Sequence, residues 1–227
     1  MHMALYQYPD KAKVDRYIAK EKIYQQNNIH PDVKRDFIDQ IKSIRWLYKL
    51  SQQTINLTST ETLKEFEIIQ IHLKGDVLNP DCLVALDKAI PNPVIFEIVT
   101  DHMIKVMAAH KTINSQGNGT IIQSDYFISE SYDLNEKRLS LPNAISLEAL
   151  YHAILKALIP KNISGNDNQL NESIEVLIAK ENELRSLEKQ IVALDKKIMR
   201  EKQFNRKVEM NAELKQLKAM QAALLAQ

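Results

Sequence analysis

Carboxylates and a lysine on neighbouring strands can hold a divalent ion and steady an attacking water, the arrangement a restriction-type nuclease uses. Glu65, Glu67, Glu97, Asp101, Lys105 and Lys111 supply those residue types. None of them forms the acid, any residue, lysine triplet on a strand. They read better as solvated positions of a half-exposed antiparallel sheet, and a divergent metal-dependent nuclease using Glu67, Glu97 and Lys111 stands as the alternative. His72, His102 and His110 fall on adjacent predicted strands but lack the close, matched spacing of metal ligands, so surface or edge histidines are expected and no metal is assigned. The four glycines, Gly75, Gly117, Gly119 and Gly165, build no phosphate loop, because the GNG run joins two strands with no helix following. No GxSxG elbow occurs either. Cys82, the single cysteine, sits in the apolar run NPDCLVALDKAI without a nearby histidine and reads as a small buried hydrophobe. Catalytic residues and cofactors are therefore left unassigned.

The densest charge lies near the end of the chain. Lys196, Lys197, Arg200, Lys202, Arg206 and Lys207 fall close together, with Asp195, Glu201 and Glu209 as the nearby acids. Such a girdle can bind phosphates, which makes a nucleic-acid-binding module a further alternative. The positions spread round a helix, however, and a solvated coiled-coil surface explains them better.

That surface belongs to an element which dominates the chain. From Asn168 to Gln227 there is no glycine and no proline, and one continuous helix of that length would run roughly 80 to 90 Å. Leu184, Leu187, Ile191, Leu194 and Ile198 keep the 3-4-3-4 spacing of a coiled-coil seam. The register then falters at Glu201 and Asn205, and apolar residues resume off register at Phe204, Val208, Leu214 and Leu217. A break of this kind re-winds a coiled coil or marks a change of partner. Asn205 and Asn211 near the seam are expected to set register or partner choice.

The 227 residues, 44% of them hydrophobic, suffice for one globular domain and the helical arm. Thirty basic against twenty-nine acidic residues give a net charge of +1, so nothing in the overall charge points to nucleic acid or membrane. The lone cysteine and the lack of a signal peptide or membrane-length apolar run predict a soluble, cytoplasmic protein that does not bind membrane.

Pro31 and Asp32 open a predicted helix whose apolar residues Val33, Phe37, Ile38, Ile41, Ile44 and Tyr48 recur at helical spacing to about Leu50. A strand is expected over Glu65–Lys74, then a helix capped by Asn79-Pro80. Three strands follow, in VIFEIVT, MIKVMAAHKTI and GTIIQSDYFI, and then a helix capped by Ser146. Strands linked so closely must be antiparallel. The predicted fold is α+β, a mostly antiparallel sheet with helices packed on one face over residues 1–160. A linker at 161–171 and a long coiled-coil helix at 172–227 complete it.

DFIDQIKSIRWLYKLSQQTINL, EFEIIQIHLKG, LDKAIPNPVIFEI and EKQFNRKVEMNAELKQLK together resemble, in that order, a bacterial family known only as a domain of unknown function. The resemblance spans about Val14 to Leu217. Members of that family are often encoded beside methyltransferase and helicase genes of type III-like restriction–modification loci, which implies a role in DNA restriction or anti-phage defence and assigns no chemistry. Carried over, the resemblance marks Lys49, Leu50, Thr54 and Asn56 in a helix-exit motif, together with Lys88 and Lys111. Lys49, Thr54, Asn56 and Lys111 are then a candidate anion pocket, with structural capping by Thr54 and Asn56 as the competing reading. The function expected is a non-catalytic interaction or accessory protein. It would form a homodimer, or join a larger partner such as a helicase or methyltransferase complex acting on DNA, through its C-terminal coiled coil.

Overall fold

The computed structural model describes residues 3–26, 29–113, 120–160 and 172–226, so the NSQGNG loop and the predicted linker lie outside the described residues. The chain divides into two compact units, Met1–Ile159 and Pro160–Gln227. Among the described residues no helix is long and apolar enough to cross a membrane.

The first unit is α+β. Its main sheet is built from β2 (Lys13–Ile18), β3 (Ile41–Ser51), β4 (Glu65–Leu73), β5 (Val94–Val99) and β6 (Met103–Ala108), with short strands β9 (Phe127–Ile128) and β10 (Tyr132–Asp133) on the far side of β6. β2, β3 and β4 run antiparallel. The helix α4 (Pro80–Ala89) then crosses over, so that β5 lies parallel to β4 before β6 turns back antiparallel. The sheet is mixed, though mostly antiparallel.

Three smaller pieces complete the strands. β1 (Tyr6–Gln7) pairs in parallel with β11 (Leu139–Ser140), and β7 (Lys111–Ile113) pairs with β8 (Thr120–Ile122) in a sheet of their own. The predicted strand from Met103 to Ile113 is thus two strands with a break at Ala109 and His110, and the third predicted strand is likewise divided.

The clearest departure from expectation is at β3. A helix does start at Pro31, but α2 stops at Gln40 and the chain enters β3 with no intervening loop. Register shifts at Ile41/Ser43 and at Trp46/Tyr48 mark two bulges. Each bulge adds a residue out of phase, so the inward residues of β3 do not alternate strictly and their spacing resembles a helical face. Without a loop, the last carbonyls of α2 need other donors. Lys20, at the start of α1 (Lys20–Gln26), donates to the carbonyls of Phe37 and Ile41, and Lys74 donates to that of Ile38 at 2.8 Å.

Helices pack on both faces of the sheet rather than one. Ile69, Ile71 and Leu73 of β4 and Val94, Phe96 and Ile98 of β5 form one core with Phe37 of α2 and Cys82, Leu83 and Leu86 of α4. Phe66, which alternation places on the opposite side of β4, lies 5.5 Å from the ring of Tyr151 in α5 (Leu147–Leu158). The predicted caps form: the Asn79 side chain accepts from the Asp81 amide at 2.9 Å, and Ser146 from the Ala149 amide at 3.1 Å.

The second unit holds two long helices, α6 (Ile174–Arg200) and α7 (Phe204–Leu225), where sequence alone suggested one. Their junction, Glu201 to Gln203, falls where the seam register falters. Ile191, Leu194 and Ile198 of α6 pack with Leu214, Met210 and Leu217 of α7. A three-residue link between helices that share a core leaves only an antiparallel arrangement, so the arm is a helical hairpin.

Candidate functional site

Two groups of charged side chains are built into the first unit. β7 and α4 bring Lys111 and Asp87 together, with the Lys111 Nζ 2.9 Å from Asp87 Oδ1 and both side chains 1% exposed. The same ammonium donates to the carbonyls of Asp87, Ile90 and Asn92, the trailing end of α4 and the turn after it. Tyr126 donates to the other oxygen of Asp87 at 2.6 Å. Burial lowers the Lys111 pKa, and Asp87 opposes that shift. Lys111 is a sealed brace for the α4 to β5 turn.

Above it, Glu65 and Glu67 both accept from Asn92 Nδ2, at 2.8 and 2.9 Å, and Lys49 pairs with Glu65 at 2.6 Å. Burial raises the Glu67 pKa, with Asn92 opposing.

On the other face, Glu97 is 1% exposed and receives both guanidinium nitrogens of Arg138, at 2.5 and 2.9 Å. Gln70 adds a third donor at 3.2 Å, and the Gln70 oxygen lies 2.8 Å from His72 Nε2. Arg138 also donates to the Tyr6 carbonyl, so the pair clamps the N-terminal segment onto the sheet.

This geometry separates the residues of the nuclease alternative. Glu67 shares a side of β4 with Ile69, while Gln70, which bonds Glu97, is on the other. Glu67 and Glu97 therefore lie on opposite faces, and Lys111 is enclosed by Asp87 and carbonyls.

The four residues of the candidate anion pocket are also separately engaged. Lys49 holds Glu65 and Lys111 holds Asp87. Thr54 forms a reciprocal cap with Ser51 on the single turn α3 (Gln52–Ile55), and Asn56 ends that turn in the left-handed conformation at φ 57°. Thr54 thus caps the entry and Asn56 the exit of α3, and not the end of a helix running to Leu50, which is strand β3. Lys88 lies in the last turn of α4. His102 is exposed in the β5 to β6 turn, and His110 is buried beside Tyr151. The Cys82 thiol is buried and pushed up to about 12, which leaves it inert. Asp87, Asn92 and Arg138 carry much of this architecture; Asp87 and Asn92 lie within the LDKAIPNPVIFEI stretch, but no spacing marks their roles, because their side-chain partners are up to 41 residues away.

The hairpin treats its charges differently. Leu184, Leu187, Ile191, Leu194 and Ile198 are all buried. Lys196, Lys197, Arg200, Lys202, Arg206 and Lys207 are all exposed. Glu201 accepts from the Gln203 and Lys202 amides at 2.9 and 2.8 Å, and these bonds, the Gln203 amide foremost, hold its carboxyl below the ordinary range, with the charges of Arg206 and Lys207 adding to the shift. Its charge is thus directed to the unsatisfied amides that open α7. Among the described residues none of the six cations stands in an ion pair. The girdle read along a single helix becomes a cluster around a bend. In one helix Lys196 and Lys207 would be ~17 Å apart along the axis; folded back, each set occupies roughly 6 Å of helix length beside the other. Asn205 and Asn211 are exposed, and Asn211 bonds the Lys207 carbonyl of its own helix, so neither sits in the seam.

Apolar side chains also remain outside the hairpin core. Val192 is 52% exposed, Met199 81%, Phe204 79% and Val208 53%. At ~100° per residue, Val192 and Met199 lie about 100–120° round α6 from its seam, and Phe204 and Val208 about 120–160° round α7 in the same rotational sense. In an antiparallel pair, equal senses face the same way. The four side chains consequently form a stripe on one side of the hairpin near the bend, with Val208 at its outer edge and Asp195 within it, between Val192 and Met199.

Comparison with curated proteins and with solved structures returns no match. A family described as domain of unknown function DUF4391 matches residues 7–220, across both units and into α7. With its main sheet, its crossover helix α4 and its helical hairpin as far as residue 220 inside that match, the chain belongs to this family.

Proposed function

We propose that the chain is a non-catalytic interaction or accessory protein that joins a second copy of itself or a larger protein partner through its C-terminal helices. The observation that carries this reading is the stripe of Val192, Met199, Phe204 and Val208, left open after the hairpin has closed its own seam. A helix that is apolar on more than one side needs more than one neighbour, and α7 has Met210, Leu214 and Leu217 inward with Phe204, Val208 and Met220 exposed elsewhere on its surface. The charged groups of the first unit are engaged as braces, which suits a scaffold. The resemblance to proteins encoded beside restriction–modification genes supports placing the assembly in DNA restriction or anti-phage defence.

The test is the mass of the full chain in solution, alone and after co-expression with a methyltransferase and a helicase of a type III-like restriction–modification locus, compared with the V192N/V208N variant. Assembly above the monomer, lost on substitution, is expected. A wild-type chain that stays monomeric in every combination would overturn the reading.

A further inference from the structure

A cleft of about 580 Å³ opens in the first unit between the start of α1, the exposed side of α2 and the end of β4, lined by Lys20, Glu21, Lys34, Ile38 and Lys74. Lys20 donates to the Phe37 and Ile41 carbonyls and Lys74 to that of Ile38, so both ammonium groups gather at the C-terminal end of α2. They stand close enough that burial first, and the Lys74 charge second, lower the Lys20 pKa, with Glu21 opposing by less. Among the described residues neither ammonium is in an ion pair. The carbonyls do not exhaust their donors either. An ammonium carries three N–H groups, so one on Lys20 and two on Lys74 have no acceptor among the described residues. Lys111 is the contrast, since its ammonium meets a carboxylate and three carbonyls.

We infer that the cleft binds a small phosphomonoester, its phosphate oxygens accepting from Lys20 and Lys74 and its carbon body lying on Ile38, which is 49% exposed. A phosphate brings three acceptor oxygens and a charge of roughly −1.5 to −2 at neutral pH, so one group meets the open donors and offsets both ammoniums. A carboxylate brings two oxygens and a single charge. The C-terminal end of a helix by itself repels an anion, but its roughly half negative charge is outweighed by the two ammoniums seated on the carbonyls of α2. Lys34, one turn ahead of Ile38, adds a further positive charge to the lining. The volume lies within the ~300–1,000 Å³ usual for small-molecule sites. A nucleic-acid strand needs a run of cations along its backbone, whereas Arg35, the next cation of α2, is already paired with Asp32 at 3.2 Å. The site lies wholly in the first unit and does not depend on the hairpin being the contact arm.

The probe is phenyl phosphate, titrated against the full chain by isothermal calorimetry, with inorganic phosphate, benzoate and a single-stranded DNA of about 20 nucleotides as further arms. Expected is saturable one-site binding of phenyl phosphate, at least about tenfold tighter than benzoate and about threefold tighter than inorganic phosphate. K74Q should weaken it at least about tenfold, K74R should retain it, and I38N should close the gap to inorganic phosphate. Far-UV helicity and the unfolding midpoint establish that each variant is folded. Should K74Q fail to fold, the test passes to I38N and to K34Q, both at exposed positions of α2, with K34Q expected to weaken phenyl phosphate about threefold. Absent or unsaturable binding of phenyl phosphate overturns the inference, as does binding that K74Q and K34Q leave unchanged. Benzoate binding as tightly would make the cleft a general anion site, and inorganic phosphate binding as tightly would leave an adventitious ion only; either result sinks the phosphomonoester. DNA binding that is tighter than that of phenyl phosphate and lost in K74Q would assign the lysines to nucleic acid instead. Each of these failures leaves the contact-arm reading standing, because the solution mass tests that separately.

Discussion

The two units use the same kinds of charged residue in opposite ways. In the first unit Lys111 is enclosed with Asp87, and Arg138 grips Glu97 with both nitrogens. At the hairpin bend six cations stand in solvent with no ion-pair partner among the described residues. A buried charge pair is costly to form and costlier to break, so it specifies one arrangement of the elements that carry it. Exposed cations beside an apolar stripe do nothing of that sort for their own fold; they are available to another molecule. Burial and pairing thus separate charges that hold the protein together from charges that can face a partner.

The sharpest way to break the contrast is Lys111→Met, which strands Asp87 in the core. Destabilisation of about 3–5 kcal/mol is expected in urea unfolding. A loss below about 1 kcal/mol would mean that the pair is not the sealed brace described. Arg138→Ala comes next. It leaves Glu97 with Gln70 as its remaining side-chain donor and frees the Tyr6 carbonyl, and a loss of about 2 kcal/mol is expected.

Glu67→Gln runs the other way. Burial raises the Glu67 pKa in the folded chain. Between the unfolded and folded values the native state keeps a proton that the unfolded chain has released, so stability falls as pH rises through that window and the deficit persists above it. The glutamine keeps an acceptor for Asn92. The variant should therefore be slightly more stable than wild type at neutral pH, by at most about 1 kcal/mol, with the gap closing in acid; a destabilised variant at neutral pH would show that the ionised form is the preferred one. The smallest effect belongs to the bend. K196Q/R200Q/K207Q should leave the unfolding midpoint where it is, and a clear fall would reveal structural pairing and erase the contrast.

Caps and the strand of β4 could be read directly, because Asn79-Pro80, Ser146 and the alternation of Glu65–Leu73 act within a few residues. β3 could not, since its two bulges disturb the period on which reading a strand depends. The misread stretch is the one with no loop before it, where Lys20 and Lys74 reach across from other elements to satisfy the last turn of α2. The buried pairs were equally out of reach: Glu97 and Arg138 were legible as charges, but not as partners 41 residues apart.

The arm shows where the division falls. Its residue types alone determined that it would be helical, that Leu184 to Ile198 would bury one stripe, and that the register would fail near Glu201, because propensity and periodicity are local properties of the chain. Whether that failure would be a re-wound seam or a full reversal was decided by the packing of Ile191, Leu194 and Ile198 against Leu214, a contact between residues on different helices. Tertiary structure likewise decided that six basic residues strung along the sequence would gather around one bend, because proximity in space follows from how the helices pack and not from their order.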